Sequence, residues 1–175
     1  MGFHVSWVAT RGIEMDALWS AFQLAKAPSN TESDAITSTV LSSGWNLVSF
    51  NSMSTYFMGF DEDIPRELSK QGEVLQCVAD ETCMGSSARG YRGGAMLWRV
   101  EHNASESRFN IEATGTPPPC YMEIRQRLLA KQRAQGRGVD YVFSLPIEIC
   151  ETLTGYRYDR VYGGAIECLI EAEAE

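Results

Sequence analysis

The segment from 73 to 114 constrains the fold most. It holds four strand-like runs, 73–79, 81–89, 95–102 and 108–114, separated by turn signals at Asp80, at "YRGG" (91–94) and at "NASES" (103–107). Runs this close can be joined only by short turns, and short turns join antiparallel neighbours, so the segment reads as a β-meander. "TGTPPP" (114–119) ends it, because proline supplies no donor to a sheet ladder.

Inside the meander lies the stretch that looks most like chemistry, "MGSSARGYRGGAMLWRVEH" (84–102). Gly85 and Gly90 have the spacing of a phosphate-binding loop, and Arg89, Arg92 and His102 supply positive groups. Such a loop also needs a lysine, a magnesium-holding hydroxyl and a helix directly after it. The lysine and hydroxyl positions hold Tyr91 and Arg92. Residues 96–101 alternate with period two, Met96, Trp98 and Val100 against Leu97, Arg99 and Glu101, and so form a strand in place of the helix. Gly93-Gly94 permits the positive φ angles of a tight hairpin. The expectation is a hairpin turn, with its arginines near the turn, solvated or paired with acids.

Elsewhere, residues 3–10 alternate as a strand apolar on both faces, and 13–25 carry Leu18, Phe22 and Ala25 on one helical face. Residues 26–43, rich in Ser and Thr, read as a long loop and a candidate binding surface. "GWNLVSFN" (44–51) is a strand, and 61–72 is a short helix punctuated by Pro65 and Gly72. Residues 120–135 form an amphipathic helix with Tyr121, Ile124 and Leu128 inward. "PIEICETLTG" (146–155) is a helix opened by Pro146 and closed by Gly155. The end, 163–175, fits strand or helix equally, and its acidic tip, 171–175, is expected to fray. With 175 residues and no repeat or linker, the chain reads as a single α+β domain spanning 1–175, with a largely antiparallel sheet and helices packed on one face.

A formal charge of −8 and a pI near 4.8 disfavour nucleic-acid binding and suit a basic protein partner. Five cysteines without paired spacing point to a reducing compartment. No basic leader and no run of about 18 apolar residues is present, so a cytoplasmic protein without membrane spans is expected.

Few residues carry a chemical signature. His4 and His102 each read as a strand histidine, and Cys77, Cys83, His102 and Cys120 lack zinc-ligand spacing. Asp61, Glu62 and Asp63 make a favourable helix start, not a calcium loop. Arg125, Arg127, Lys131, Arg133 and Arg137 read as a solvated helix face. "STYFMGF" (54–60), the most apolar loop, is either core lining or an exposed anchor. No cofactor, metal site or catalytic constellation is expected.

"SWVATRG" (6–12), "GWNLVSFN" (44–51), "LWRVEHN" (97–103) and "DYVFSLPIEICETLTGYRYD" (140–159) together resemble a group of small bacterial proteins of unknown function. The resemblance implies one domain in a bacterial setting and brings no activity with it. Size, acidity and the missing catalytic set lead to the expectation of a non-enzymatic protein-binding protein, in particular an immunity-type protein that neutralises a basic toxin domain. Contacts are expected from Asp61, Glu62 and Asp63, from Glu32 and Asp34 in the 26–43 segment, and from the acidic tip. The alternative is a small enzyme or ligand-binding domain with Arg89, Tyr91, Arg92, Glu101 and His102 in a cleft beside the hairpin.

Overall fold

The structure, a computed structural model, describes residues 2–28, 34–135, 138–160 and 165–172. Its elements are β1 (His4–Arg11), α1 (Met15–Ala21), β2 (Leu24–Lys26), β3 (Ile36–Val40), β4 (Asn46–Phe50), a 3-10 helix (Tyr56–Phe60), α2 (Asp63–Leu68), β5 (Glu73–Asp80), β6 (Gly85–Arg92), β7 (Ala95–Asn103), β8 (Glu112–Gly115), α3 (Cys120–Gln135), α4 (Ser144–Thr154) and β9 (Glu167–Glu171). Among the described residues nine strands form one sheet, ordered β2-β9-β3-β4-β1-β5-β6-β7-β8. Each pairing is antiparallel. The fold is α+β, and the meander is β5 to β8 in sequence order.

The core explains the sheet's composition. β1 lies near the middle, buried on both sides from Val5 to Thr10. Val5, Trp7 and Ala9 face one apolar cluster with Leu75, Cys77, Ala88 and Val100. That cluster is closed by Ile124 and Leu128 of α3 and by Leu145, Ile147 and Cys150 of α4. Val8 faces a second cluster with Val48, Phe50, Val74 and Tyr91, closed by Leu18 of α1, Leu68 of α2 and Phe22. Helices therefore cover both faces, which corrects the single helical layer expected from the sequence. A strand apolar on both faces needs a cover on each.

Several boundaries differ from the sequence reading. The helix over 13–25 stops at Ala21; Gln23 turns at φ 54°, and Leu24–Lys26 becomes a strand paired with β9. The expected loop over 26–43 contains β3, whose Ile36 and Ser38 are buried while Thr37 and Thr39 are half-buried. The ambiguous end is strand β9, inserted between β2 and β3. Residues 173–175 of the acidic tip lie outside the described residues.

In the meander, β6 starts at Gly85, not at residue 81. Asp80 Oδ1 accepts hydrogen bonds from the Thr82 amide and hydroxyl and the Cys83 amide, which folds 81–84 into a turn. β8 is only Glu112–Gly115, because Asn103, Glu106 and Asn110 bond one another and hold the preceding residues in turns. Gly93 and Gly94 have φ of 62° and 78°, as a two-residue hairpin turn of this hand requires. The "YRGG" turn is therefore confined to its two glycines, with Tyr91 and Arg92 inside β6.

Candidate functional site

The second face bears the most open chemistry. The "STYFMGF" segment is a ridge, core lining on its inner side and exposed on its outer side. Tyr56 and Gly59 are buried, and Ser6 Oγ donates to Tyr56 O at 2.6 Å across the contact with β1. A Cβ at Gly59 would collide with Ser6, so glycine is what lets the ridge sit this low. Gln76 of β5 pins the ridge from below, its Nε2 donating to Gly59 O and Asp61 O at 2.6 Å each. Phe57 and Phe60 nevertheless remain 59% and 41% exposed, stacked against Tyr56 with centroids 4.2 and 5.2 Å away.

A hollow lies on either side of this ridge. The larger, about 370 Å³, runs between the ridge and β5–β8; Tyr56 and Phe60 form its aromatic wall, and Asp80, Glu101, Glu106 and Glu112 supply four carboxylates. The smaller, about 300 Å³, lies towards the α1–β2 turn and is bordered by Phe22, Phe57, Asp61, Ile64 and Glu171. Neither lining includes a lysine or arginine. A third hollow, about 240 Å³, on the opposite face, is lined instead by Trp45 and Trp98 with Arg11 and Arg92.

Charge in the larger hollow is set by its neighbours. Burial acts to raise the Asp80 carboxyl, but hydrogen bonds from the Thr82 hydroxyl and amide and the Cys83 amide, with His4 nearby, outweigh it and hold it below its ordinary value. Cys83, at the rim, is shifted the other way: burial, then the Asp80 charge, raises its thiol. Glu101 is bound from beneath by Arg89 at 3.2 Å and also by Arg99. Arg89 is 7% exposed, bonds Gln76 Oε1 at 3.2 Å and approaches Glu62 at 3.5 Å. Tyr91 donates to the same Gln76 oxygen at 3.0 Å, and burial pushes its hydroxyl up to about 12.

The five groups of the alternative cleft do not converge. Arg89, Tyr91 and Glu101 are on the second face, whereas Arg92 and His102 are on the first. Arg89 corrects the expectation of an arginine at the turn: it is interior to β6, and only Arg92 sits at the turn, exposed and 3.3 Å from Glu73. His102 is the strand histidine expected, with both ring nitrogens engaged. Its Nδ1 donates to Asn110 O at 2.8 Å, its Nε2 meets Asp140 Oδ2 at 3.0 Å, and its side chain has no exposure. Asp140 Oδ1 accepts from the Val142 and Phe143 amides just before α4. The pair is a buried histidine–aspartate clamp between β7 and α4, with side chains 0% and 5% exposed. Sequence reasoning missed Asp140 because its partner lies 38 residues away.

Of the acids expected to meet a partner, Asp61, Glu62 and Asp63 come directly after the ridge. Asp61 Oδ1 caps α2 by accepting from the Asp63 and Ile64 amides at 2.7 and 2.8 Å, the helix-start role expected of the cluster. Asp34 is exposed beside the ridge's approach, where Asn51 donates to its carbonyl. Glu32 lies outside the described residues, as does Arg137 of the basic helix face. On that face Arg127 pairs with Glu148, and Lys131 lies 4.3 Å above the Tyr141 ring. Cys77 is a core residue whose thiol is pushed up by burial and a hydrogen bond with Cys150; Cys83 is exposed on the other side of the sheet. Among the described residues no group of three His, Cys, Asp or Glu side chains is placed to hold a metal ion, and no helix is long and apolar enough to cross a membrane. The chain has no significant match to a protein-family model, a curated protein or a solved structure.

Proposed function

We propose that this chain is a non-enzymatic protein-binding protein that grips a basic partner with the Met53–Phe60 ridge, in the manner of an immunity-type protein covering a toxin domain. The observation that carries the reading is the exposure of Phe57 and Phe60 on a segment anchored from beneath by Ser6 and Gln76. Aromatic side chains already held in place lose little freedom on binding, which makes them efficient anchors. Met53, 57% exposed, extends the apolar strip, and Asp34, Asp61, Glu62, Asp63 and Glu171 surround it with negative charge. An apolar centre with a charged rim is the usual anatomy of a specific interface.

A catalytic role for Arg89, Glu101 and His102 has less support. The first two neutralise each other and the third is sealed, so none offers a free group to a substrate. The test is affinity capture from native lysate with the native chain and with the double variant Phe57→Ser/Phe60→Ser, and then co-expression with the captured protein. A basic protein held by the native chain, released by the variant and toxic unless the native chain is co-expressed is the expected result. Equal capture by both chains would remove the ridge from the interface.

A further inference from the structure

The geometry points to the larger hollow beside the ridge as a socket for one cationic side chain, an arginine or lysine, of a protein partner. This deepens the reading above and rests on it. A guanidinium or ammonium on an alkyl stem needs an apolar wall for the stem, a ring face or edge near the charge, and carboxylates that retain their charge. The hollow has each of these. Val78 and the Tyr56–Phe60 pair, with centroids 5.2 Å apart and rings at 82°, supply apolar and aromatic surface. Asp80 and Glu101 come from neighbouring parts of the meander, and Glu112 stands exposed on β8 at the mouth.

Charge balance favours a cation over a neutral guest. Arg89 and Arg99 already balance Glu101, which leaves Asp80, Glu106 and Glu112 to set the charge of a lining that holds no lysine or arginine. The volume, about 370 Å³, leaves room for one long side chain and some water, not for a folded segment. Phe60 both lines the hollow and is 41% exposed on the ridge, so a partner resting on the ridge would have a side chain in reach of it.

The test titrates the isotope-labelled full chain with the blocked peptide acetyl-Gly-Ser-Arg-Ser-Gly-amide and with its citrulline counterpart, which matches arginine in shape but is neutral. Expected are amide shifts at Ser87, Glu101, Asn103 and Glu112 that are about tenfold weaker with citrulline and are suppressed by high salt. Glu112→Gln, at an exposed position, and Phe60→Ala should each weaken the response severalfold while leaving the spectrum folded. Equal response to both peptides, shifts elsewhere on the chain, or no response overturns the socket.

A second readout needs no affinity. Cys83 at the rim should react about tenfold faster with a trimethylammonium thiosulfonate than with a sulfonate-bearing one, because both require the same thiolate and differ only in charge. Equal rates would also overturn it. If Phe57→Ser/Phe60→Ser releases a partner while the arginine peptide finds nothing, the binding face stands and the socket falls. An arginine response without partner capture does the reverse.

Discussion

Glu101 and His102 are consecutive on β7 and face opposite sides of one sheet. Each meets a polar side-chain partner, Arg89 for Glu101 and Asp140 for His102. On the first face the pair is closed: the side chains are 0% and 5% exposed and the remaining lone pairs and protons are used within the fold. On the second face Glu101 is 22% exposed at the edge of a hollow, held by the buried Arg89 and by Arg99, which is 38% exposed. The residue that most resembles a catalytic base is therefore a brace, and its plainer neighbour borders the open site. Chemical type alone does not separate them; which face is covered does.

That contrast breaks most visibly at the brace. Asp140→Ala leaves the buried His102 Nε2 and two amides before α4 without their partner, and should cost about 3–5 kcal/mol in chemical denaturation. Asp140→Asn, which can still cap the amides and hydrogen-bond His102, should recover most of that loss. A cost under about 1 kcal/mol for alanine would mean that the pair does not brace the fold. Arg89→Ala ranks next, at about 2–4 kcal/mol, because it removes one of the two arginines on Glu101 and one of the four hydrogen bonds of Gln76 from a buried position.

Tyr91 gives the contrast a pH signature. Its hydroxyl is raised in the folded chain to about 12 from an ordinary value of 10.0, so the folded state holds the proton longer. The stability it contributes is complete below pH 10 and is lost as the pH rises towards 12. Tyr91→Phe should flatten that alkaline slope in equilibrium unfolding; an unchanged slope would place its origin elsewhere. The smallest effects belong to the surface. Arg92→Ala should stay within about 0.5 kcal/mol of the native chain, although Arg92 is three residues from Arg89 in the same strand. A larger loss would erase the distinction between the two arginines.

Local signals were legible where one short segment contained the whole cause. Gly93-Gly94 specified its turn, Gly155 marked the end of α4 while Pro146 fell in its first turn, two residues after its start at Ser144, and Ile124 and Leu128 marked the buried side of α3. The outer strands were not legible. Ile36-Thr-Ser-Thr-Val40 does alternate, yet its inward Ser38 is polar, and its pairing with the adjacent β4 and the remote β9 makes it a strand. The site was half legible. The apolar ridge stood out in sequence, but the carboxylates beside it come from positions 80, 101, 106 and 112, which only strand pairing brings together. Arg89 looked like a surface group because its partners Glu62 and Gln76 lie in other elements.

The insertion of β9 between β2 and β3 has a consequence for how the chain is made. Residues 24–26 have their strand partner at 169–171, so a growing chain exposes both of these borders until nearly all of the described sequence has emerged. The meander, with partners close in sequence, can assemble early, while the far side of the sheet waits for a late closing strand. Between those two moments β3 offers unpaired backbone to any neighbouring chain, which makes that interval the one in which helpers or aggregation compete for the product.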